Sequence, residues 1–346
     1  MCSKKVISKQ LPVEFSRGVL VSLKSLTDDG LLENLSNKKA LIIVSSGGHL
    51  LEALLLTKQL RLSKESLFVT NSNPQSVSLL KNYRHHMIRQ VRSRDLVGAL
   101  CLMPGLVYIC NSEDFDCIIS TGAAVAISAL PAHYLLRIPF YFFESLTRVH
   151  RPSLSGKILE LFPSVFKFSS GSVNFNHRWR SFPSILGTYV VGQKQSNPSN
   201  LRILVTLGTI PNFRFDRLID QVVPILNADD QVFWQVGCTS RSDLKGTTVT
   251  TISNTHLIEM AKDCHVVITH CGVGTILDLI SNGIRPIVIP RLAKFGEHID
   301  DHQIEALEAF SLQNLVQKID GVLTRKLLLE ASQNYISRNK IKNKDL

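Results

Sequence analysis

A chain of 346 residues with 44% hydrophobic content and 19 glycines is long enough for two domains, each with its own core. Its formal charge of +11 raises nucleic acid as a partner, but no zinc-finger spacing, aromatic RNA-binding motif or homeodomain pattern accompanies it. An anionic membrane surface or a diphosphate-linked lipid accounts for the charge equally well, and the seven cysteines, with no CxxC pair, argue against a disulfide framework and for a reduced, cytosolic protein.

In chain order, Met1 to Gln10 is polar and no apolar core follows, so no signal peptide is expected. Phe15, Val19, Leu23 and Leu26 then recur at roughly helical spacing, with Arg17 and Lys24 nearby. Such a helix packs on the domain or, alternatively, lies in a membrane interface. Residues 39–60, KALIIVSSGGHLLEALLLTKQL, read as a strand, a glycine turn through Gly47 and Gly48, and a helix that starts at His49. His49 either caps that helix or, because a helix N-terminus keeps an imidazole neutral, serves as a proton acceptor.

The basic stretch Tyr83 to Arg94 precedes the apolar run Leu96 to Cys110, an order that suits docking on anionic lipid and equally an ordinary solvated face. That run is too short to cross a bilayer, and Pro104 interrupts it. Ile118 to Phe143 is longer but contains His133, Arg137 and two prolines, so it reads as strand, helix and strand in a soluble core. Asp114-Phe115-Asp116 matches the short DxD pattern of metal-dependent transferases, yet it directly precedes the buried strand and is read as a strand start. That strand leads through Thr121 and Gly122 into an Ala-rich helix. The next, Pro139 to Phe143, ends at Glu144, and Ser145, Arg148, Ser153, Ser155, Gly156 and Lys157 follow as a polar loop suited to a ligand.

Residues 187–200, rich in Ser, Asn, Gln and Gly, are expected to be the linker between a first domain of residues 1–186 and a second of residues 201–322. Residues 323–346 are expected to form a helix, Thr324 to Ile336, that returns across the cleft, and a basic tail. The second domain opens with the strand Arg202 to Leu207 and Gly208-Thr209, followed by the strand end Gln235-Val236-Gly237-Cys238-Thr239. Its most informative stretch is His265 to Gln303, HVVITHCGVGTILDLISNGIRPIVIPRLAKFGEHIDDHQ. A strand ends at His270, and Gly272, Gly274 and Thr275 open a helix whose backbone N–H groups and dipole suit a pyrophosphate. Leu277 stands where the dinucleotide fingerprint needs its third glycine. A further strand leads through Arg291 to a dense polar set, Glu297, His298, Asp301, His302 and Gln303, suited to ribose and sugar hydroxyls.

These motifs carry a resemblance. The second half resembles the nucleotide-sugar-binding subunit of the two-subunit N-acetylglucosaminyltransferase of dolichol-linked oligosaccharide assembly and its bacterial polysaccharide relatives, with VTxGT, QxGxT, HxGxGT and GEHxDxHQ in order. The first half resembles the membrane-associated partner subunit in its GGH loop, STG turn and ESxxRVxxxSxxGK segment, without the transmembrane helix that opens the eukaryotic subunit. More distantly, both halves are similar to MurG, and the chain looks like a natural fusion within the family 28-type glycosyltransferases.

The resemblance implies a GT-B fold, α/β with two Rossmann-like domains facing a cleft. It implies a UDP-sugar donor, a polyprenyl-diphosphate-linked acceptor and an inverting β-transfer, commonly β-1,4 in relatives, at the cytoplasmic membrane face. Donor contacts would come from Gly208, Thr209, Gln235, Gly237, His270, Gly272, Gly274, Thr275, Arg291, Glu297, His298, Asp301, His302 and Gln303. Acceptor contacts would come from Gly47, Gly48, Thr121, Gly122, Ser145, Arg148 and Ser155, with His49 as the base and Glu144 as the second choice. No cofactor or essential metal is expected, since His298 and His302 show no third ligand in the sequence and backbone amides can stabilise a leaving diphosphate. A UDP-sugar epimerase and a non-catalytic nucleotide-sugar-binding module are the competing readings.

Overall fold

The computed structural model describes residues 28–338 other than 92–94, 172, 174, 196–197 and 320. The expected N-terminal helix at Phe15 to Leu26, Arg92 and Arg94 of the basic stretch, and the tail beyond residue 338 lie outside the described residues.

The first domain runs α1 (Asp28–Leu35), β1 (Ala40–Ile43), α2 (Gly48–Gln59), β2 (Leu67–Asn71), α3 (Pro74–Leu79), β3 (Arg84–Ile88), α4 (Leu96–Ser112), β4 (Cys117–Ser120), α5 (Leu130–Leu136), β5 (Phe140–Phe143), α6 (Leu154–Leu159), β6 (Phe166–Ser170) and β7 (Arg180–Phe182). Its seven strands are all parallel, in the order β3-β2-β1-β4-β5-β6-β7. Strands β1, β4 and β5 are buried throughout, which is why they read as unbroken apolar runs rather than alternating ones. The chain winds outward from β1 to β3 and then restarts on the other side with β4, so the switch point lies between β1 and β4. Ligands of open parallel sheets bind at such points, beyond the C-terminal ends of the strands.

The second domain repeats the plan. After β8 (Tyr189–Gln193) come β9 (Arg202–Thr206), α7 (Asp216–Val222), β10 (Gln231–Gln235), β11 (Thr247–Val249), α8 (Asn254–Asp263), β12 (Val266–His270), α9 (Val273–Ser281), β13 (Ile287–Ile289), α10 (His302–Leu312), β14 (Gln317–Lys318), α11 (Arg325–Ser332) and β15 (Asn334–Arg338). Six parallel strands take the order β11-β10-β9-β12-β13-β14, with the switch between β9 and β12. Together the two sheets make the GT-B arrangement of two Rossmann-like domains.

The domains share a core. One apolar cluster runs from Leu50, Leu51 and Leu54 of α2 to Ile276, Leu277 and Ile280 of α9. At roughly 1.5–3 kcal/mol for each fully buried Leu or Ile, this seam holds the two glycine turns against each other.

Two sequence expectations are corrected. The segment 187–200 is not irregular throughout, because β8 lies inside it. Nor does the last helix extend to Ile336: α11 ends at Ser332, and Asn334 to Arg338 turn into β15, which pairs antiparallel with β8. Tyr189-Val190-Val191 favours extended backbone, but a two-stranded ribbon exists only where its partner lies, some 140 residues further along the chain. The closure of the chain is therefore a strand on the interdomain segment rather than a helix across the cleft.

The apolar run of the first domain is helix α4, with Pro104 inside it. Among the described residues no helix is long and apolar enough to cross a membrane. The Asp114-Phe115-Asp116 stretch does sit at a strand start, where Asp116 Oδ2 accepts the Lys39 backbone N–H at 2.8 Å.

Candidate active site between two glycine turns

Turns β1–α2 and β12–α9 meet at the domain seam. A Cβ built on Gly48 would lie 2.9 Å from Val273 Cγ1, and one on Gly274 would lie 3.9 Å from the Gly48 backbone nitrogen. Two helix N-termini, each with unsatisfied N–H groups and a positive dipole end, therefore converge on one place, a fit for an anion.

His49 stands at the first-domain side of this junction. Its Nδ1 lies 2.9 Å from the Thr121 carbonyl oxygen, and the Thr121 hydroxyl donates back to the His49 carbonyl at 2.8 Å. A carbonyl can only accept, so Nδ1 carries the proton and Nε2 keeps its lone pair. The ring lies over Gly122, where a Cβ would approach Cε1 to 2.9 Å; the φ of +122° there also excludes most side chains. Burial, helped by the Arg148 charge, holds the imidazole below its ordinary pKa against the opposing pull of the Thr121 bond. The result is a neutral imidazole held in one orientation.

On the other side, His270 is enclosed. A Cβ on Gly208 would come within 2.7 Å of its ring and one on Gly272 within 2.3 Å, so both glycines are required by its position. Burial and the nearby Arg291 charge push its pKa down to about 4. Thr209 is exposed, and Gly272, Gly274 and Thr275 are half-buried along the mouth of the same pocket.

Several residues expected to touch the donor instead hold the loops that surround it. Gln235 accepts from Thr206 Oγ1 at 2.7 Å and from the Gly208 N–H at 3.1 Å, and donates to the Gly208 and Thr250 carbonyls at 3.1 and 2.9 Å. Its amide is fully used, so a direct donor contact is corrected to support of the Gly208 turn. Gly237 sits against the same turn, where a Cβ would meet the Gly208 carbonyl oxygen at 2.3 Å.

Arg291 is fully buried and donates to the carbonyls of Phe213, Glu297 and Leu207 at 2.8, 3.0 and 2.6 Å, with its guanidinium over the Phe215 ring. It ties three loops together and brings a positive charge beside His270; among the described residues its Nε has no partner. The carboxylate of Glu297 takes both Nε and Nη2 of Arg217, at 2.9 and 2.8 Å, and the Leu292 N–H at 2.9 Å. Three of its acceptor positions are filled. Gln303 accepts the N–H groups of Cys271 and Arg291 at 3.1 and 3.0 Å, bridging the ends of β12 and β13.

At the rim, His298 stacks on Phe213, and Asp301 accepts the Ala293 N–H at 2.7 Å. Asp300, the fixed acid of the GEHxDxHQ motif although the donor contact was expected of Asp301, hydrogen-bonds His302 Nδ1 and lies 3.4 Å from His298 Nδ1. His298, Asp300 and His302 place potential ligating atoms within 4.8 Å of one another, a trio that could hold a metal ion, with Asp300 as the third group that the sequence reading lacked. The i, i+2, i+4 spacing was its available signal.

The acceptor loop also differs from expectation. Arg148 reaches across the seam to Glu305 of α10 at 2.7 Å, and His150 to Glu308 at 2.8 Å. Arg148 is thus an interdomain clamp. Glu144 is buried, with its Oε2 accepting the Ser153 N–H at 2.8 Å, and burial raises its pKa. Ser155 is buried in α6, and the Ser145 hydroxyl donates to Glu52 at 2.8 Å. Glu52 had no place in the sequence reading, since one acid in an apolar helix reads as a solvated position.

Comparisons with known proteins agree with this geometry. Residues 202–338 match the glycosyltransferase family 28 C-terminal domain. Over the whole chain, the fold resembles MurG of Acinetobacter baumannii (17% identity, 84% of this chain and 89% of that one, TM-score 0.51). It also resembles UGT89C1 of Arabidopsis thaliana, solved with UDP-L-rhamnose (12% identity, 85% and 90%, TM-score 0.54), and the glycosyltransferase SnogD of Streptomyces nogalater (16% identity, 86% and 93%, TM-score 0.51). No curated protein matches the sequence. The second domain therefore carries the glycosyltransferase family 28 C-terminal domain, and the chain as a whole has the GT-B fold.

Proposed function

We propose that the protein is an inverting, UDP-sugar-dependent β-glycosyltransferase that extends a polyprenyl-diphosphate-linked saccharide at the cytoplasmic membrane face. The observation that carries this reading is the junction of the two turns: His49, with its Nδ1 on the Thr121 carbonyl, stands where Gly48 meets Val273 and the N-termini of α2 and α9 converge.

In this mechanism the diphosphate of the donor lies at the start of α9, against Gly208, Thr209, Gly272, Gly274 and Thr275. Glu297 contributes its remaining acceptor position to the ribose, and His298, Asp301 and His302 face the sugar, while Gln303 holds the loop from beneath. His49 Nε2 takes the proton of the acceptor hydroxyl as its oxygen attacks the anomeric carbon from the face opposite the diphosphate. The bond to the leaving oxygen breaks with inversion, and the charge that develops there meets the dipole of α9 and its N–H groups. The scheme uses no cation.

The acceptor class is supported by the surface of the first domain. Val97, Leu100 and Tyr108 of α4 are 70%, 54% and 74% exposed, and Leu135 of α5 and Leu161, just after α6, are 70% and 73% exposed. An apolar face of this kind on a strongly basic chain suits the interface of an anionic bilayer.

The test is UDP release from a panel of UDP-sugars, with and without polyprenyl-diphosphate saccharides. Acceptor-dependent release that is lost in His49→Ala supports the reading. Turnover of the donor without any acceptor moves the assignment to an epimerase, and saturable donor binding without turnover on any acceptor moves it to a binding module.

A further inference from the structure

Glu52 is a buried carboxyl group that the mechanism above leaves unused. It lies one helical turn beyond His49 on α2, at i+3, and is 4% exposed. Its Oε1 accepts the Ser145 hydroxyl at 2.8 Å, and its Oε2 lies 3.3 Å from the Leu146 N–H. Ser145 in turn contacts the Thr147 hydroxyl at 3.1 Å. The loop so gripped is the one whose next residue, Arg148, spans the seam to Glu305 and adds its charge to the surroundings of His49.

Resting on the proposed transferase reading, we propose that Glu52 is a positioning residue of the acceptor site: its carboxyl group pins the Ser145–Arg148 loop to the helix that carries His49. A single helix turn then sets two things at once, the base and the loop that frames it. The arrangement explains an acid in an otherwise apolar helix interior, where an unpaired polar group would cost stability.

The surroundings of Glu52 keep it uncharged. The small cavity beside it, about 30 Å³, is lined by Thr121, Phe143, Leu146, Phe168 and Glu144 among others, and offers room for little more than a water molecule. The titratable group that lines this space with Glu52 is Glu144, just beyond the end of β5. Burial and the Glu144 carboxylate raise Glu52 to about 8, with the Ser145 and Leu146 bonds pulling the other way. At neutral pH the pair therefore shares its pocket without two full negative charges.

The experiment compares wild type with Glu52→Gln and Glu52→Ala in the full chain. Glutamine keeps the volume and an acceptor oxygen for the loop, whereas alanine removes both. Amide hydrogen exchange at residues 145–150, read without substrate, is expected to be near wild type in Glu52→Gln and faster in Glu52→Ala. In turnover, Glu52→Ala is expected to lose roughly 100-fold in kcat, the scale of a misplaced catalytic loop. Its KM for the UDP-sugar should stay unchanged, and Glu52→Gln should recover most of the rate.

Unchanged exchange in Glu52→Ala overturns the proposal. So does a Glu52→Gln enzyme as slow as Glu52→Ala, because the carboxyl proton rather than the loop would then matter. If wild type turns over no acceptor, the transferase reading fails, yet the exchange data still decide whether Glu52 holds the loop.

Discussion

The two glycine turns are built alike and tuned apart. Each follows a buried parallel strand, opens a helix at a switch point and presents a histidine whose pKa burial lowers. Yet His49 is tethered by one nitrogen and keeps the other free, whereas His270 is packed between Gly208 and Gly272 above a buried arginine. The first arrangement suits proton transfer and the second a fixed electrostatic wall. The same local motif thus yields an imidazole tethered through one nitrogen in one domain and an enclosed one in the other, according to what packs on the histidine.

Breaking the first turn should have the largest effect. His49→Ala is expected to lower kcat roughly 10²–10⁴-fold, the usual contribution of a general base, while leaving donor binding intact in an equilibrium titration. Equal loss of donor affinity would mean that His49 belongs to the cradle as well.

The second turn rests on its supporting shell. Arg217→Ala leaves the Glu297 carboxylate buried with only the Leu292 N–H and is expected to destabilise the fold by about 3 kcal/mol, measured by urea unfolding. It should weaken donor binding along with stability, since Glu297 and the Leu292 turn would move. Gly208→Ala is expected to cost about 1–2 kcal/mol for its left-handed backbone, and it drives a methyl group into His270. Donor affinity should fall while the His49-dependent step keeps its pH profile.

Two groups on α2 should respond to pH in opposite senses. His49 has a depressed pKa, so the acid limb of kcat/KM should lie below the ordinary histidine value of 6.5. Glu52 runs the other way. Its pKa is raised from 4.5 to about 8, so the stability tied to its protonated form is fully present below 4.5 and is lost as pH climbs toward 8. Glu52→Gln should flatten the fall in melting temperature over that window, and an identical fall in both proteins would assign it elsewhere.

The smallest effect is expected at the seam. A double-mutant cycle on Arg148 and Glu305, both about one-third exposed, should give a coupling below about 1 kcal/mol in stability. A coupling in kcat larger than in stability would show that the clamp serves the closed arrangement of the domains more than the fold.

The sequence by itself determined the alternation of strands and helices, both glycine turns, His49 and the order of polar residues from Arg291 to Gln303. These signals are local: an unbroken apolar run, a residue without Cβ, and a helical period fall within one short window. Only the tertiary structure decided which polar groups face the cleft and which hold one another. Gln235 is consumed by the Gly208 turn, Arg291 by three carbonyls, Glu297 by Arg217 and Arg148 by Glu305. The same is true of the β8–β15 ribbon and of the grip of Glu52 on Ser145. In each case except Arg291 with Glu297, the partners lie more than twenty residues apart, and a buried polar group must find its partner wherever the fold brings one.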